Sequence, residues 1–389
     1  MSWKFEKVFE ATPDSAPKEV IQDGRFLYVT GSSILYIYEL VGQSSGHEPS
    51  FESLEELNYG NFDGKLKLLT SVSIPEGSAW LCKSFSNIWI ANDYKATKLT
   101  QVNIASRAIA TTIDLPTTMN SNIIYEAGRI LMVSKAKEDQ EGSDRQRLYI
   151  LNPLTLKFAS IEIPVKKQLA RAFITSGYNG FVYVTNFNNV SLSKFSTVTW
   201  TYEGQVRTNA FPQVATVTPS RDIFVASYGG MLTRINGLTD EVFNAYSTVS
   251  TATSLSAVDD NSVWYTCLKE GQYVDTNIVG KVNRLDNSLL FTGKTKDDTG
   301  ENYQDWNIES DSISDKEFTR VLITTPFTYQ QFDGASWNAV DVKPYLIMLG
   351  ASKIMAVRLD RYLMRENYIQ LSGQAMISTG SEDYMGEVG

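Results

Sequence analysis

Residues 181–186 read Phe181-Val182-Tyr183-Val184-Thr185-Asn186, and this stretch decides the fold. Its first four residues are aromatic or β-branched, the types that fit a pleated strand. No polar residue interrupts them, so the strand has no solvent face and both of its sides are expected to be buried. Tyr178-Asn179-Gly180 just before it supplies hairpin chemistry, because Asn and Gly accept the backbone angles of tight turns.

Working outward, the same element recurs. It appears as Phe26-Leu27-Tyr28-Val29-Thr30-Gly31, Ile88-Trp89-Ile90-Ala91-Asn92 and Ile130-Leu131-Met132-Val133-Ser134. After residue 186 it returns as Ile223-Phe224-Val225-Ala226-Ser227, Val263-Trp264-Tyr265-Thr266-Cys267 and Val321-Leu322-Ile323-Thr324-Thr325. Start-to-start spacings are 62, 42, 51, 42, 40 and 58 residues. The longer intervals hold polar insertions at 42–64, 135–145 and 294–314, whose removal brings each unit near a blade-sized repeat of roughly 40–50 residues.

The rest of the unit is consistent with this. A third strand alternates apolar and polar residues, as in Lys98-Leu99-Thr100-Gln101-Val102-Asn103-Ile104, and a fourth strand follows a turn. Several fourth strands run into proline (Ile74-Pro75, Leu115-Pro116, Ile163-Pro164), which cannot continue a ladder and marks the passage to the next sheet. Repeated four-strand sheets hide their edges best as a closed ring. The expected fold is therefore all-β, a seven-bladed β-propeller of four-stranded antiparallel sheets, with eight blades as the alternative. The count turns on Tyr345-Leu346-Ile347-Met348-Leu349 and Lys353 to Arg358, which read either as a closing blade or as an appended module. The expected division is a propeller over 1–342, with a strand at 3–10 available to close the ring, and a hairpin plus extended arm over 343–389.

The run at 181–186 resembles the signature strand of YVTN-type repeats, and the pattern over residues 18–342 resembles the YVTN, NHL and quinoprotein-like propellers. The match is strict in only one or two blades. No WD dipeptide points to WD40 repeats. The resemblance implies the fold and no single activity.

Candidate chemistry is sparse. The sole histidine, His47, lies in GQSSGHEP with no nucleophile motif nearby, and reads as a solvated loop residue. Cys82 and Cys267 sit in or beside apolar runs and read as small buried hydrophobes rather than zinc ligands. Asp259-Asp260-Asn261 and Asp297-Asp298 offer oxygen ligands for calcium, but the first reads more simply as a turn. No cofactor is expected, with calcium the one held open. Phosphate-binding loops are absent, and Gly229-Gly230 reads as a hairpin turn. The aromatic segments Asn302 to Asn307, with Tyr303 and Trp306, and Phe327 to Trp337, with Tyr329 and Trp337, are candidate contact sites, together with Tyr384 in the C-terminal arm. For 327–337 the competing reading is a plain hairpin with its aromatics packed inside.

A net charge of −9 disfavours nucleic acid and anionic membranes as bulk partners; Lys166-Lys167 and Arg358, Arg361 and Arg365 read as solvated surface. No run approaches the ~18 apolar residues that span a bilayer. The N-terminal MSWKFEKVFEATPDS has no apolar signal core, and two cysteines suit a reducing compartment. The expectation is a non-enzymatic structural or binding propeller. It resembles phage virion components (tail, fibre or capsid appendage) that mediate assembly or host attachment. Expected partners are other virion or scaffold proteins and a host surface glycan or receptor, with the cytoplasm as the alternative location. The alternative function is a lactonase-like or sugar-binding propeller that uses its central channel.

Overall fold

A computed structural model describes residues 3–4, 7–41, 65–135, 146–165, 171–177, 179–209, 211–248, 250–257, 259, 262–267, 278–283, 289–291, 295–296, 302–304, 308–309, 318–332, 334–342 and 344–358. Seven four-stranded antiparallel sheets form a ring, so the chain is a seven-bladed β-propeller.

Six blades are built from consecutive strands. Blade 1 comprises Glu19–Asp23, Phe26–Thr30, Ile34–Val41 and Lys65–Ser73. Blade 2 comprises Leu81–Ser84, Asn87–Ala91, Lys98–Asn103 and Ala108–Asp114, and blade 3 Ile124–Glu126, Arg129–Val133, Arg147–Asn152 and Lys157–Glu162. Blade 4 comprises Ile174–Ser176, Phe181–Asn186, Ser191–Ser196 and Tyr202–Arg207, and blade 5 Pro212–Val217, Asp222–Ser227, Met231–Asn236 and Val242–Ser247. Blade 6 comprises Ala252–Ser256, Ser262–Cys267, Ile278–Asn283 and Leu289–Phe291. The first strands of successive blades neighbour one another all the way round, that of blade 7 lying beside that of blade 1, so they form the inner wall.

The second strands are dry on both faces, and their packing shows why. Leu27 and Val29 join a cluster with Ile347 and Leu349 of blade 7, while Tyr28 between them joins Leu81, Ile88 and Ile90 of blade 2. Likewise Val182 and Val184 face blade 3 and Tyr183 faces blade 5. Alternate side chains of one strand thus serve two inter-blade cores, which requires an unbroken apolar run. Each such side chain contributes roughly 1.5–3 kcal/mol on burial. Fourth strands such as Ala108–Asp114 lie on the rim and are mostly exposed.

Blade 7 differs. Its strands are Arg320–Ile323, Tyr345–Leu349, Ile354–Arg358 and, fourth, the N-terminal Lys7–Ala11, paired antiparallel to Ile354–Val357. The pair at 345–358 therefore forms no eighth blade; it supplies the middle of the seventh sheet. The recurring element at Val321–Thr325 falls on an inner strand instead of a second one. The burial patterns give the reason: Arg320–Ile323 alternates, whereas Tyr345–Leu349 is buried at every residue. A two-stranded hairpin, Phe327–Phe332 with Trp337–Val342, is inserted between them and displaces the second strand along the sequence.

A turn between third and fourth strands recurs in blades 2 to 5. Its fifth residue, Arg107, Leu156, Trp200 or Asp240, has φ between 52° and 61°. The first residue caps it: Asn152 Oδ1 accepts from Leu154 and Thr155, Ser196 Oγ from Val198 and Thr199, and Asn236 Oδ1 from Leu238 and Thr239. In blade 5 this turn also needs Gly237, because an added Cβ would run into the carbonyl oxygen of Arg221.

Candidate functional site

The candidate residues read from the sequence do not converge. Tyr329 pairs in register with Val340 in the inserted hairpin and packs on the core between blades 7 and 1, with the Arg25 guanidinium 5.5 Å from its ring centre. Trp337 lies opposite Phe332 near the hairpin tip and is 69% exposed. Tyr303 belongs to a short strand, Asn302–Gln304, paired with Thr295–Lys296. Trp306, Tyr384, His47, Lys166-Lys167 and Asp297-Asp298 lie outside the described residues. Asp259 Oδ1 accepts from the Ser262 amide at 3.1 Å, a turn contact. Cys82 and Cys267 are buried in different blades and share no disulfide; burial alone pushes the Cys82 thiol far above its ordinary pKa. Among the described residues, no three His, Cys, Asp or Glu side chains group as a metal site.

A different constellation stands over the central axis. The first strands begin on one face of the ring, and the residues at their starts reach across it. Trp80 leads into the first strand of blade 2, Arg171 and Phe173 lead into that of blade 4, and Arg320 opens that of blade 7. The guanidinium carbons of Arg320 and Arg171 lie 4.9 and 5.5 Å from the Trp80 ring centre. Tyr94 meets Trp80 edge to face at 5.4 Å, and Arg171 lies 4.2 Å from the Tyr94 ring centre. Phe173 is edge-on to Trp80 at 6.4 Å. Side chains from blades 2, 4 and 7 can meet only near the axis, so this cluster is the mouth of the channel.

Each member is fixed locally. Ala91 N–H donates to the Trp80 carbonyl at 2.9 Å, tying the indole to the second strand of blade 2. Asn92 Oδ1 accepts from the amides of Thr97 and Lys98, both at 3.0 Å, which shapes the loop that carries Tyr94. Phe173 N–H donates to Thr185 Oγ1 at 2.8 Å. Arg320 is held most firmly: Nε donates to Glu19 Oε2 at 3.2 Å, and Nη1 to the carbonyls of Thr319 and Thr253 at 2.9 and 3.2 Å. Lys18 Nζ donates to the Ser78 carbonyl at 3.1 Å and lies 5.9 Å from the Tyr94 ring centre.

The mouth is positive within an acidic chain. It holds three cations, Lys18, Arg171 and Arg320, against two carboxylates, Glu19, which pairs with Arg320, and Asp93 on the Tyr94 loop. Burial pushes the Glu19 carboxyl above its ordinary pKa, against the opposing pull of Arg320. Burial also lowers the Arg171 pKa, as does the charge of Arg320, while Tyr94 and Asp93 oppose the shift. Cation–π contacts of this kind contribute about 0.5–2 kcal/mol each.

Two donor groups remain unused. Trp80 is 3% exposed, and its Nε1–H is buried with no hydrogen-bond partner among the described residues. Leaving such a donor unsatisfied costs about 1–3 kcal/mol. Arg171 stacks on two rings but makes no hydrogen bond or ion pair among the described residues. An arginine carries several N–H donors in a planar fork suited to bidentate acceptors. The chemistry on offer is therefore donation to an acceptor arriving at the axis. Sequence reasoning missed this cluster because its members come from blades 1, 2, 4 and 7, far apart along the chain, and form no local motif.

No protein-family model matches the chain, and no curated protein matches it.

Proposed function

We propose that the chain is a non-enzymatic binding propeller that engages its partner at the mouth of the central channel, as part of a larger assembly of the phage-virion kind. The observation that carries the binding reading is the pair of unused donors, Trp80 Nε1–H and the Arg171 guanidinium, held over the axis by aromatic stacking. Strand starts of the ring carry the site, and positions on regular elements suit precise recognition. The assembly setting is supported by the β-rich, cysteine-poor composition.

Two experiments test these parts separately. Labelled protein applied to an array of glycans and peptides should find binders that are lost in both Arg171→Ala and Trp80→Phe; binders indifferent to both would overturn the mouth as the binding site. Size in solution, set beside mass spectrometry of purified particles, tests the assembly setting, which fails if the protein is a free monomer absent from every particle.

A further inference from the structure

We infer that the ligand taken at the channel mouth carries a carboxylate, bound by the Arg171 fork and the Trp80 indole N–H. This rests on the proposed binding role of the mouth and adds the chemical class that it accepts.

Charge and geometry lead to it. Arg320 is committed: its Nε holds Glu19 and its Nη1 holds two backbone carbonyls. Lys18 is committed to the Ser78 carbonyl. Arg171 alone among the three cations has no acceptor within the described residues, although two aromatic rings fix its position. A single uncommitted guanidinium matches a single negative charge, and its planar fork matches the two oxygens of a carboxylate. The indole N–H of Trp80, whose ring centre lies 5.5 Å from the Arg171 guanidinium, is buried and a donor only, so it too calls for an acceptor and gains nothing from a cation or an apolar group. The aromatic faces of Tyr94 and Trp80 are already stacked by guanidinium groups, which leaves hydrogen bonding to an anion, rather than ring stacking, as the available recognition.

The test uses the full chain and a matched pair of probes, D-glucuronate and D-glucose, which share a sugar ring and differ in the carboxylate. Succinate serves as a carboxylate without a sugar. The readout is the indole N–H signal of Trp80, one of seven tryptophans, assigned by its loss in Trp80→Phe. Glucuronate is expected to move that signal saturably, and glucose is not. Arg171→Ala should weaken glucuronate binding by roughly tenfold or more, and Arg171→Lys, which keeps the charge without the fork, by less. A succinate response equal to that of glucuronate assigns recognition to the carboxylate alone; a response to glucuronate only assigns it to a carboxylate on a sugar ring. Glucose acting as strongly as glucuronate would overturn the carboxylate while leaving the mouth as a binding site. Silence from all three probes overturns this inference, and the array experiment then decides independently whether the mouth binds at all. Retained glucuronate binding in an Arg171→Ala protein with unchanged thermal unfolding would also sink it.

Discussion

Blade 5 and blade 7 have the same strand order but are built in different ways. Blade 5 runs through Pro212–Ser247 without interruption, each strand joined to the next by a short turn. Blade 7 takes three strands from residues 320–358 and its fourth from residues 7–11, and it carries an inserted hairpin. Blade 5 is held by local chain connectivity as well as packing. Blade 7 and its seam with blade 1 rely on long-range contacts: the ladder of Lys7–Ala11, Lys353 Nζ with Glu10 at 3.1 Å, Arg320 with Glu19, and the Thr325 amide donating to Gln22 Oε1 at 2.6 Å. The comparison shows that sheets with equivalent hydrogen-bond ladders can differ in what it takes to assemble them.

The largest effect should come from removing residues 1–11. That deletion exposes the edge of Ile354–Arg358 and should cost more than about 3 kcal/mol, with self-association on size-exclusion chromatography. A midpoint in urea unchanged from the parent would show that the fourth strand contributes little. Next come core truncations in the two blades. Phe224→Ala in blade 5 should cost about 3–5 kcal/mol and Leu346→Ala in blade 7 about 2–5 kcal/mol, both side chains being fully buried. If blade 7 can detach on its own, Leu346→Ala will broaden or split the unfolding transition, whereas Phe224→Ala will shift it intact. Gly237→Ala forces the blade 5 turn away from Arg221 and should cost on the order of 1–3 kcal/mol by thermal unfolding, whereas Gly128→Ala, where an added Cβ meets nothing, tests the cost of positive φ alone.

The smallest effect concerns the seam. The folded Glu19 has a raised pKa, so between 4.5 and that value the folded protein holds a proton that the unfolded chain has released. Its contribution is most favourable below 4.5 and declines as pH rises through the raised value. Glu19→Gln should therefore flatten the acid side of the stability-against-pH curve. An unaltered slope would mean that Glu19 titrates normally in the folded ring.

The dry second strands were the most legible part of the molecule. Val184, Val225 and Trp264 are buried, as unbroken apolar runs require when both faces of a strand meet neighbouring blades. The seventh blade was harder to read because Val321–Thr325, an inner strand with one half-buried face, is as apolar in composition as a second strand. The inserted hairpin then pushed the true second strand beyond the expected period. That a turn joins the third and fourth strands was legible, but its capping by Asn152, Ser196 and Asn236 and its shared left-handed fifth residue emerged only from the structure. The channel mouth had no sequence signature: Trp80, Arg171 and Arg320 each sit just before or at the start of an inner strand, and only ring closure brings them together.

The pairing of Lys7 with Val357 and of Ala11 with Ile354 has a mechanical consequence. Lys7, where one strand begins, and Arg358, where the other ends, therefore stand at the same end of the sheet. Tension applied between Lys7 and Arg358 would peel the rungs of this ladder one at a time, a weak geometry.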